Sequence, residues 1–219
     1  MLKPSRVSLF FVISGPAGSG KTTLCKRMLE TFGPHVQRVI TCTTRAPREG
    51  EVEGHDYYYL TTKEFQKRLS EKAFYEHARV HGQLYGTLKS EIQTKLKANV
   101  DLLLNIDVQG ANSLRQAAEN DAFLKQRLVT IFILPTSLAE LEKRLHRRGQ
   151  DTPAAIEQRL SIAADEMKHY PLYDYCIRSG PPEEDFANLQ ALYKAEKLRV
   201  RLPIHPDGTS RIEDAKAAI

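Results

Sequence analysis

The chain has 219 residues, of which 41% are hydrophobic and 27% charged, and a net charge of +5; that length allows one domain, or one core with insertions, with enough apolar residues to bury it. Apolar runs of five or six residues are too short to cross a bilayer, and no apolar core follows Met1-Leu2-Lys3-Pro4, so no membrane span or secretion signal is expected and the expected location is the cytoplasm. Cys25, Cys42 and Cys176 are odd in number, far apart and free of any C-x-x-C pair, which argues against a disulfide framework or zinc site, and the basic excess lacks the run or basic–aromatic stripe of a nucleic-acid binder.

In chain order, Leu9–Ile13 reads as a buried strand. The run from Gly15 to Thr22 then fits G-x-x-x-x-G-K-[ST], and a helix from Lys21 to about Thr31 stops at Gly33-Pro34. Strand, glycine loop and helix are the context this motif requires. Glycines free the backbone to curl its N–H groups around a phosphate, and the helix adds its positive N-terminal end. Gly15, Pro16, Ala17, Gly18, Ser19, Gly20, Lys21, Thr22 and Thr23 are therefore candidate ATP-binding residues, with Lys21 on the outer phosphates and the Thr22 hydroxyl on Mg²⁺. The loop alone does not separate an ATPase, a small-molecule kinase and a binding module.

Val39–Thr43 is a short strand candidate, and Thr44 to Gly54 is loop. Asp56–Leu60, with three tyrosines in a row, suits a strand that puts Tyr57 and Tyr59 on one face. Thr62 is expected to cap a helix from Lys63 to about Glu71. Phe74–Val80 and Gln83–Gly86 read as strands, Leu88–Ala98 as a helix, Leu102–Ile106 as a strand ending at Asp107, and Val108 to Ala118 as a helix. Leu128–Leu134 is an apolar strand, and Ser137 to Arg148 a helix ended by Gly149. Thr152 caps a helix to about Lys168, Tyr175–Ile177 is a last strand, and Glu183–Arg199 a last helix; no role is assigned to the tail after Val200. Strands alternating with helices predict a parallel sheet covered on both faces, interrupted by an insertion over residues 41 to 98.

Arg45 and Arg48 flank Pro47, which stiffens their loop, and two guanidinium forks there match either phosphate oxygens or simple solvation. Arg144 and Arg148 lie i, i+4 on one helix face, with Arg159 on the next helix. Arginines in a last turn complement the helix dipole, and they also supply the positive charge that phosphoryl transfer needs. Asp107, at the carboxyl end of an apolar strand near the phosphate loop, suits either a metal's shell or a helix cap. None of the seven histidines has metal-ligand spacing.

The run Val39 to Tyr57 resembles the nucleoside-monophosphate-binding signature of guanylate kinases, and the similarity extends over roughly residues 8 to 199. It includes Tyr85-Gly86-Thr87, Ile106-Asp107-Val108-Gln109-Gly110 and Arg147-Arg148-Gly149. The resemblance implies a phosphate-loop three-layer α/β/α fold with a central parallel sheet, an inserted mixed-strand GMP-binding region at 41–98 and a helical lid at 142–165. The core would be 8–40, 99–141 and 166–199, with a tail at 200–219. It implies ATP- and Mg²⁺-dependent phosphorylation of GMP and dGMP by direct transfer, with small nucleotides as the partners, neither nucleic acid nor membrane, and a monomer or homodimer. It places Arg45, Arg48, Tyr57 and Tyr85 on the GMP phosphate, Glu76 and Thr87 on the guanine with Thr41 nearby, and Asp107 at the GMP and metal sites with Thr22. Lys21, Arg45, Arg144, Arg148 and Arg159 are the implied catalytic set, while Arg147 is read as solvated. Thr87 stands where the family often has serine, Asn105 where an acidic residue is common, and Arg178-Ser179-Gly180 where an Asn-Asp pair often lies near the adenine. The alternatives are a non-catalytic protein-binding module of this family and a kinase for another monophosphate.

Overall fold

The computed structural model describes residues 7–80, 82–148 and 152–201, with the side chain of Arg148 outside that description. The chain opens with β1 (Phe10–Ser14), α1 (Lys21–Phe32) and β2 (Val36–Arg38). A second layer follows, built from β3 (Cys42–Thr43), β4 (Tyr58–Tyr59), α2 (Thr62–Ser70), β5 (Phe74–Val80) and β6 (Gln83–Leu88), and α3 (Lys89–Lys97) leads out of it. The chain returns through β7 (Asp101–Asn105), α4 (Val108–Glu119), α5 (Ala122–Arg127) and β8 (Leu128–Pro135). Helices α6 (Leu138–Arg148) and α7 (Pro153–Met167), a 3-10 turn at Tyr170–Leu172, β9 (Tyr175–Ser179) and α8 (Pro182–Leu198) complete it.

The central sheet has five strands in the order β2-β7-β1-β8-β9, all parallel. Every residue of β1 is buried, which is why it reads as a continuous apolar run rather than an alternating one. Alternate side chains still serve different faces. Phe11 and Ile13 pack with Leu24 and Met28 of α1 and Leu189 of α8, whereas Phe10 and Val12 pack with Ile92 of α3, Leu114 of α4 and Leu124 of α5. The chain leaves β1 through α1 on one face and leaves neighbouring β7 through α4 on the other, so a crevice opens at the carboxyl ends of these two strands. The register Ile13↔Asn105 sets those ends level.

The second sheet has four strands in the order β4-β3-β6-β5 and mixes parallel and antiparallel pairs. It closes over its own cluster of Cys42, Phe65, Phe74 and Leu88, with the Phe65 and Phe74 rings stacked at 4.5 Å. A Cβ on Gly86 would lie 2.9 Å from the Phe74 ring and 3.1 Å from that of Phe65, so only glycine lets both rings rest on β6. Tyr75, on the opposite side of β5, packs into the core face of α3, α4 and α5 and donates to Asp121 at 2.8 Å. Arg38, at the end of β2, donates to the carbonyls of His55 and Asp56 and ties the two sheets together. Helices α6 and α7 pair through Leu141, Leu145, Ile156 and Ala163, and the Thr152 hydroxyl caps α7 by accepting from Ala155 N–H at 3.3 Å. Among the described residues no helix is long and apolar enough to cross a membrane.

The structure corrects several boundaries. Val39–Thr43 is not one strand: β2 ends at Arg38, Val39 N–H still bonds Leu103 of the core, and β3 belongs to the other sheet. Thr61, not Thr62, caps α2, because its spacing to Glu64 completes a reciprocal capping box. The six-residue helix α5, capped by Asp121, is too short for its periodicity to be read. The 3-10 turn at Tyr170–Leu172 is likewise unforeseen, and the tail lies outside the described residues from position 202 onward.

Because the second sheet has its own core, Phe65→Ala should loosen it by about 3–5 kcal/mol while sparing the central sheet. Hydrogen exchange should then accelerate at the amides of β3 and β6 and stay unchanged in β1 and β8; equal acceleration in β1 would show that the two cores unfold as one.

Candidate active site

The loop from Gly15 to Gly20 carries the carboxyl end of β1 into α1. Gly15 has φ 137°, and a Cβ there would lie 2.5 Å from the Ile133 carbonyl oxygen, so the loop packs against β8 in a way open to glycine alone. The first turn of α1 has no acidic residue and no side-chain cap, which leaves its N–H groups and positive end facing the loop. Lys21 lies back across the loop, its Nζ donating to the carbonyls of Gly15 at 2.6 Å and Pro16 at 2.8 Å. Ser19 Oγ is buried without a hydrogen-bond partner among the described residues. Thr22 is exposed and accepts a bond from Asn105 Nδ2 at 3.2 Å. Asp107 caps α4, its Oδ1 accepting from Gly110 N–H at 2.7 Å, so the helix cap engages one oxygen of this exposed carboxylate. Glu166 of α7 faces this group: burial raises its carboxyl, Lys21 opposes that shift, and Asp107 reinforces it.

Across the crevice, a cleft of about 580 Å³ is lined by Thr22 and Asn105 on the core side and by Thr41 and Tyr57 on the second layer. Arg45 sits 5.5 Å over the Tyr57 ring, and the Tyr57 and Tyr85 rings meet edge-on at 6.1 Å. Glu51 organises this cluster. Its carboxylate accepts from Arg45 Nη2, from the Arg48 N–H and from the Tyr59 hydroxyl, each at 2.8 Å. Those donors hold its carboxyl down at about 2, Arg45 first among them. Arg45 Nε stays buried and unpaired among the described residues, whereas the Arg48 side chain is exposed. Glu76 and Thr87 are cross-strand partners on β5 and β6, both buried, and the Thr87 hydroxyl donates to Glu76 Oε1 at 2.5 Å. Burial pushes the Glu76 carboxyl up to about 7, against the Thr87 bond, and the charge of Asp107 adds to the rise.

On the other side of the phosphate loop, a cavity of about 420 Å³ is lined by Gly18, Gly20, Thr23, Arg144, Arg147 and Asp185 among others. Arg144 is fixed there, its Nε on Glu140 at 3.0 Å and its Nη1 on Ser179 Oγ at 2.7 Å. Arg147 is exposed, as read from the sequence, and it lines this cavity too. Arg159 is exposed on α7 and lines neither space, and the Arg148 side chain lies outside the described residues.

The structure thus brings the loop, Lys21, Thr22 and Asp107 to one crevice, Arg45, Tyr57 and Tyr85 to one cluster, and Glu76 to Thr87. It adds residues that sequence reasoning missed. Glu51 is visible in sequence only as a carboxylate three positions after Arg48, and Tyr59 as the face-mate of Tyr57. Glu166 and Asp185 reach the site through placements that no spacing reveals, and Asn105, read only as a departure from the family's acidic residue, meets Thr22.

Fold and loop together define a phosphate-loop nucleotide-binding α/β protein. The guanylate kinase family model matches residues 8–196. The guanylate kinase of Maricaulis maris is 41% identical over 199 residues, covering 90% of this chain and 88% of its own, and that of Paramagnetospirillum magneticum is 40% identical over 195 residues, covering 89% and 88%. The crystal structure of guanylate kinase from Anaplasma phagocytophilum superposes with a TM-score of 0.67 at 31% identity, covering 90% of each chain. The chain belongs to the guanylate kinase family; it is an enzyme, a nucleotide-binding phosphotransferase.

Glu76 links this site to stability. Its carboxyl lies at about 7 in the folded chain against an ordinary 4.5, so the folded state binds the extra proton and unfolding becomes easier as pH rises between those values. Glu76→Gln should therefore stabilise the protein at pH 8 by about 1–3 kcal/mol, a gain that shrinks below about 1 kcal/mol at pH 5, as read by denaturant unfolding at the two pH values.

Proposed function

We propose that the enzyme transfers the γ-phosphoryl group of ATP, with Mg²⁺ alongside, to GMP and dGMP, giving ADP and the nucleoside diphosphate. The buried Glu76–Thr87 pair, within electrostatic reach of Asp107 at the crevice, is the observation that carries this reading. Guanine presents N1–H and its exocyclic amine side by side, and one carboxylate accepts both. Adenine has neither in that place and would leave a buried carboxylate unpaired, a penalty large enough to reject it by up to about 10⁴-fold. Two guanine donors also relieve the burial that raises Glu76, so binding favours its charged form.

Arg45, Tyr57 and Tyr85, with Arg48 from its exposed loop, receive the GMP phosphate, and Thr41 lies beside the base. Glu51 keeps the Arg45 fork turned toward them. The loop amides and Lys21 receive the ATP phosphates, for which Lys21 exchanges its two carbonyl partners. Among the described residues no cluster of three or more His, Cys, Asp or Glu side chains could hold a metal by itself. That fits Mg²⁺, which arrives with phosphates and takes few protein ligands. Thr22 and Asp107 would hold it, with Asn105 orienting the Thr22 hydroxyl. When bound, Mg²⁺ neutralises charge on the β- and γ-phosphate oxygens.

The two cradles set the acceptor oxygen in line with the γ-phosphorus. A GMP phosphate oxygen attacks as the bond to the bridging oxygen breaks, ADP leaves with that electron pair, and no covalent enzyme intermediate forms. Residues 41–98 act as the GMP-binding insertion on the core of 8–40, 99–141 and 166–199. Residues 142–165 act as a lid that brings Arg144, Arg148 and Arg159 to the moving phosphoryl group and excludes water.

ADP release measured with ATP-Mg²⁺ and each of GMP, dGMP, AMP, CMP, UMP and dTMP tests the acceptor, and turnover should appear with GMP and dGMP alone. Best turnover with AMP would overturn the role given to Glu76. Lys21→Ala should abolish turnover while calorimetry shows GMP affinity within about twofold of the parent; loss of both would overturn the division into two cradles.

A further inference from the structure

The cavity beside the phosphate loop holds a carboxylate that the proposed reaction leaves unused. Asp185 lies in the first turn of α8, is 6% exposed, and lines this space. Its Oδ1 accepts from the Gly180 N–H at 2.8 Å, and the Ser179 hydroxyl lies 3.1 Å from its Oδ2. A carboxylate can accept about four hydrogen bonds and donate none, so half of its capacity remains to serve a ligand. Glu140 is a second carboxylate on this cavity, but its Oε1 is held by Arg144 Nε at 3.0 Å and its side chain is partly open to solvent, and the remaining polar groups do not tell one base from another. Ser179 accepts from Arg144 at 2.7 Å, and its own hydrogen is taken up by Asp185 or by the Ser19 carbonyl at 3.3 Å. The guanidinium groups of Arg144 and Arg147 are flat donors that suit any ring face. Gly180 contributes no side chain.

We infer that Asp185 reads the base of the phosphoryl donor, selecting one with an exocyclic amine where adenine carries its 6-amino group and rejecting the 6-oxo group of guanine. An amine donates to the spare carboxylate lone pairs. An oxo group would set an acceptor against an acceptor, with no hydrogen between them. This rests on the proposed seating of the ATP phosphates on the loop, which puts the donor's base in the cavity beside it. It also gives the two bases opposite fates in one enzyme: one carboxylate, Glu76, takes the guanine of the acceptor by its N1–H edge, and another, Asp185, excludes guanine from the donor position. Were Asp185 only a tie between β9 and α8, replacing it would alter stability and leave donor choice untouched.

The full-length enzyme and its Asp185→Asn and Asp185→Ala variants are compared with ATP, GTP and the triphosphate of unsubstituted purine as Mg²⁺ complexes. GMP is kept saturating so that the guanine of GTP is held out of the acceptor site. The parent should prefer ATP over both alternatives. In Asp185→Asn, whose amide can donate to an oxo group, the ratio of kcat/KM for ATP over GTP should fall by about tenfold or more, with KM for GMP unchanged within about twofold. In Asp185→Ala, ATP should drop toward the unsubstituted purine without GTP improving. An unchanged ATP/GTP ratio in folded Asp185→Asn overturns the inference, even if Asp185→Ala fails to fold. Thr23→Trp, which fills the cavity, separates the two levels. If calorimetry shows ATP affinity lost there while Asp185→Asn keeps the ratio, only the base-reading role falls. If ATP affinity survives Thr23→Trp, the donor-site reading falls with it.

Discussion

The parallel pairing of β1 with β7 is the constraint on which the site stands. Its ladder runs from the Leu102 N–H on Leu9 at 2.7 Å to the Ile106 N–H on Ile13 at 3.1 Å, so the chain emerges from β7 at Asp107 level with the start of the phosphate loop. A slip of one residue would exchange the two faces of β1, sending Phe11 and Ile13 to the side of α4 and Phe10 and Val12 to that of α1. It would also part Asn105 from Thr22. The loop adds its own check, because Gly15 clears the Ile133 carbonyl only where β8 is in register on the other side.

Under the proposed function each half of the crevice meets anionic charge by a different device. The core uses main-chain N–H groups at an uncapped helix start, which need no side-chain ordering and lose none when a phosphate arrives. The second layer uses long side chains, which do need ordering, and Glu51 supplies it by gathering Arg45, the Arg48 amide and Tyr59 around one carboxylate. Glu76 is the contrary case. It is buried with one hydroxyl partner and has a raised carboxyl, so its charged form is one that either a proton or a donor-bearing ligand would relieve.

Much of the scaffold was legible because local signals agree with the tertiary outcome. Phe74–Val80 and the starts of α1, α4 and α7 fall where pattern and caps put them, and β1 is displaced by one residue. What failed needed information from elsewhere in space. Val39–Thr43 is uniformly strand-like, and nothing in it says that Val39 bonds one sheet and Cys42 another. Adjacent threonines at 61 and 62 are separated only by which one stands three before Glu64. In the site, the loop motif was readable unaided, whereas Glu76 on its own is an ordinary strand glutamate and needed the family resemblance. Glu51 and Asp185 could not be read at all, since each works through partners that folding alone assembles.

The second sheet's private core has a consequence for how such a chain changes over generations. Cys42, Phe65, Phe74 and Leu88 hold that layer together on the side of β5 away from Tyr75, and no residue of the phosphate loop belongs to their cluster. Substitutions confined to those four residues therefore leave the packing around the loop intact, whereas a change at Tyr75 of β5 would be felt by Phe10 and Val12 of β1. The second layer can thus be repacked from within by changes that the strand carrying the loop does not register.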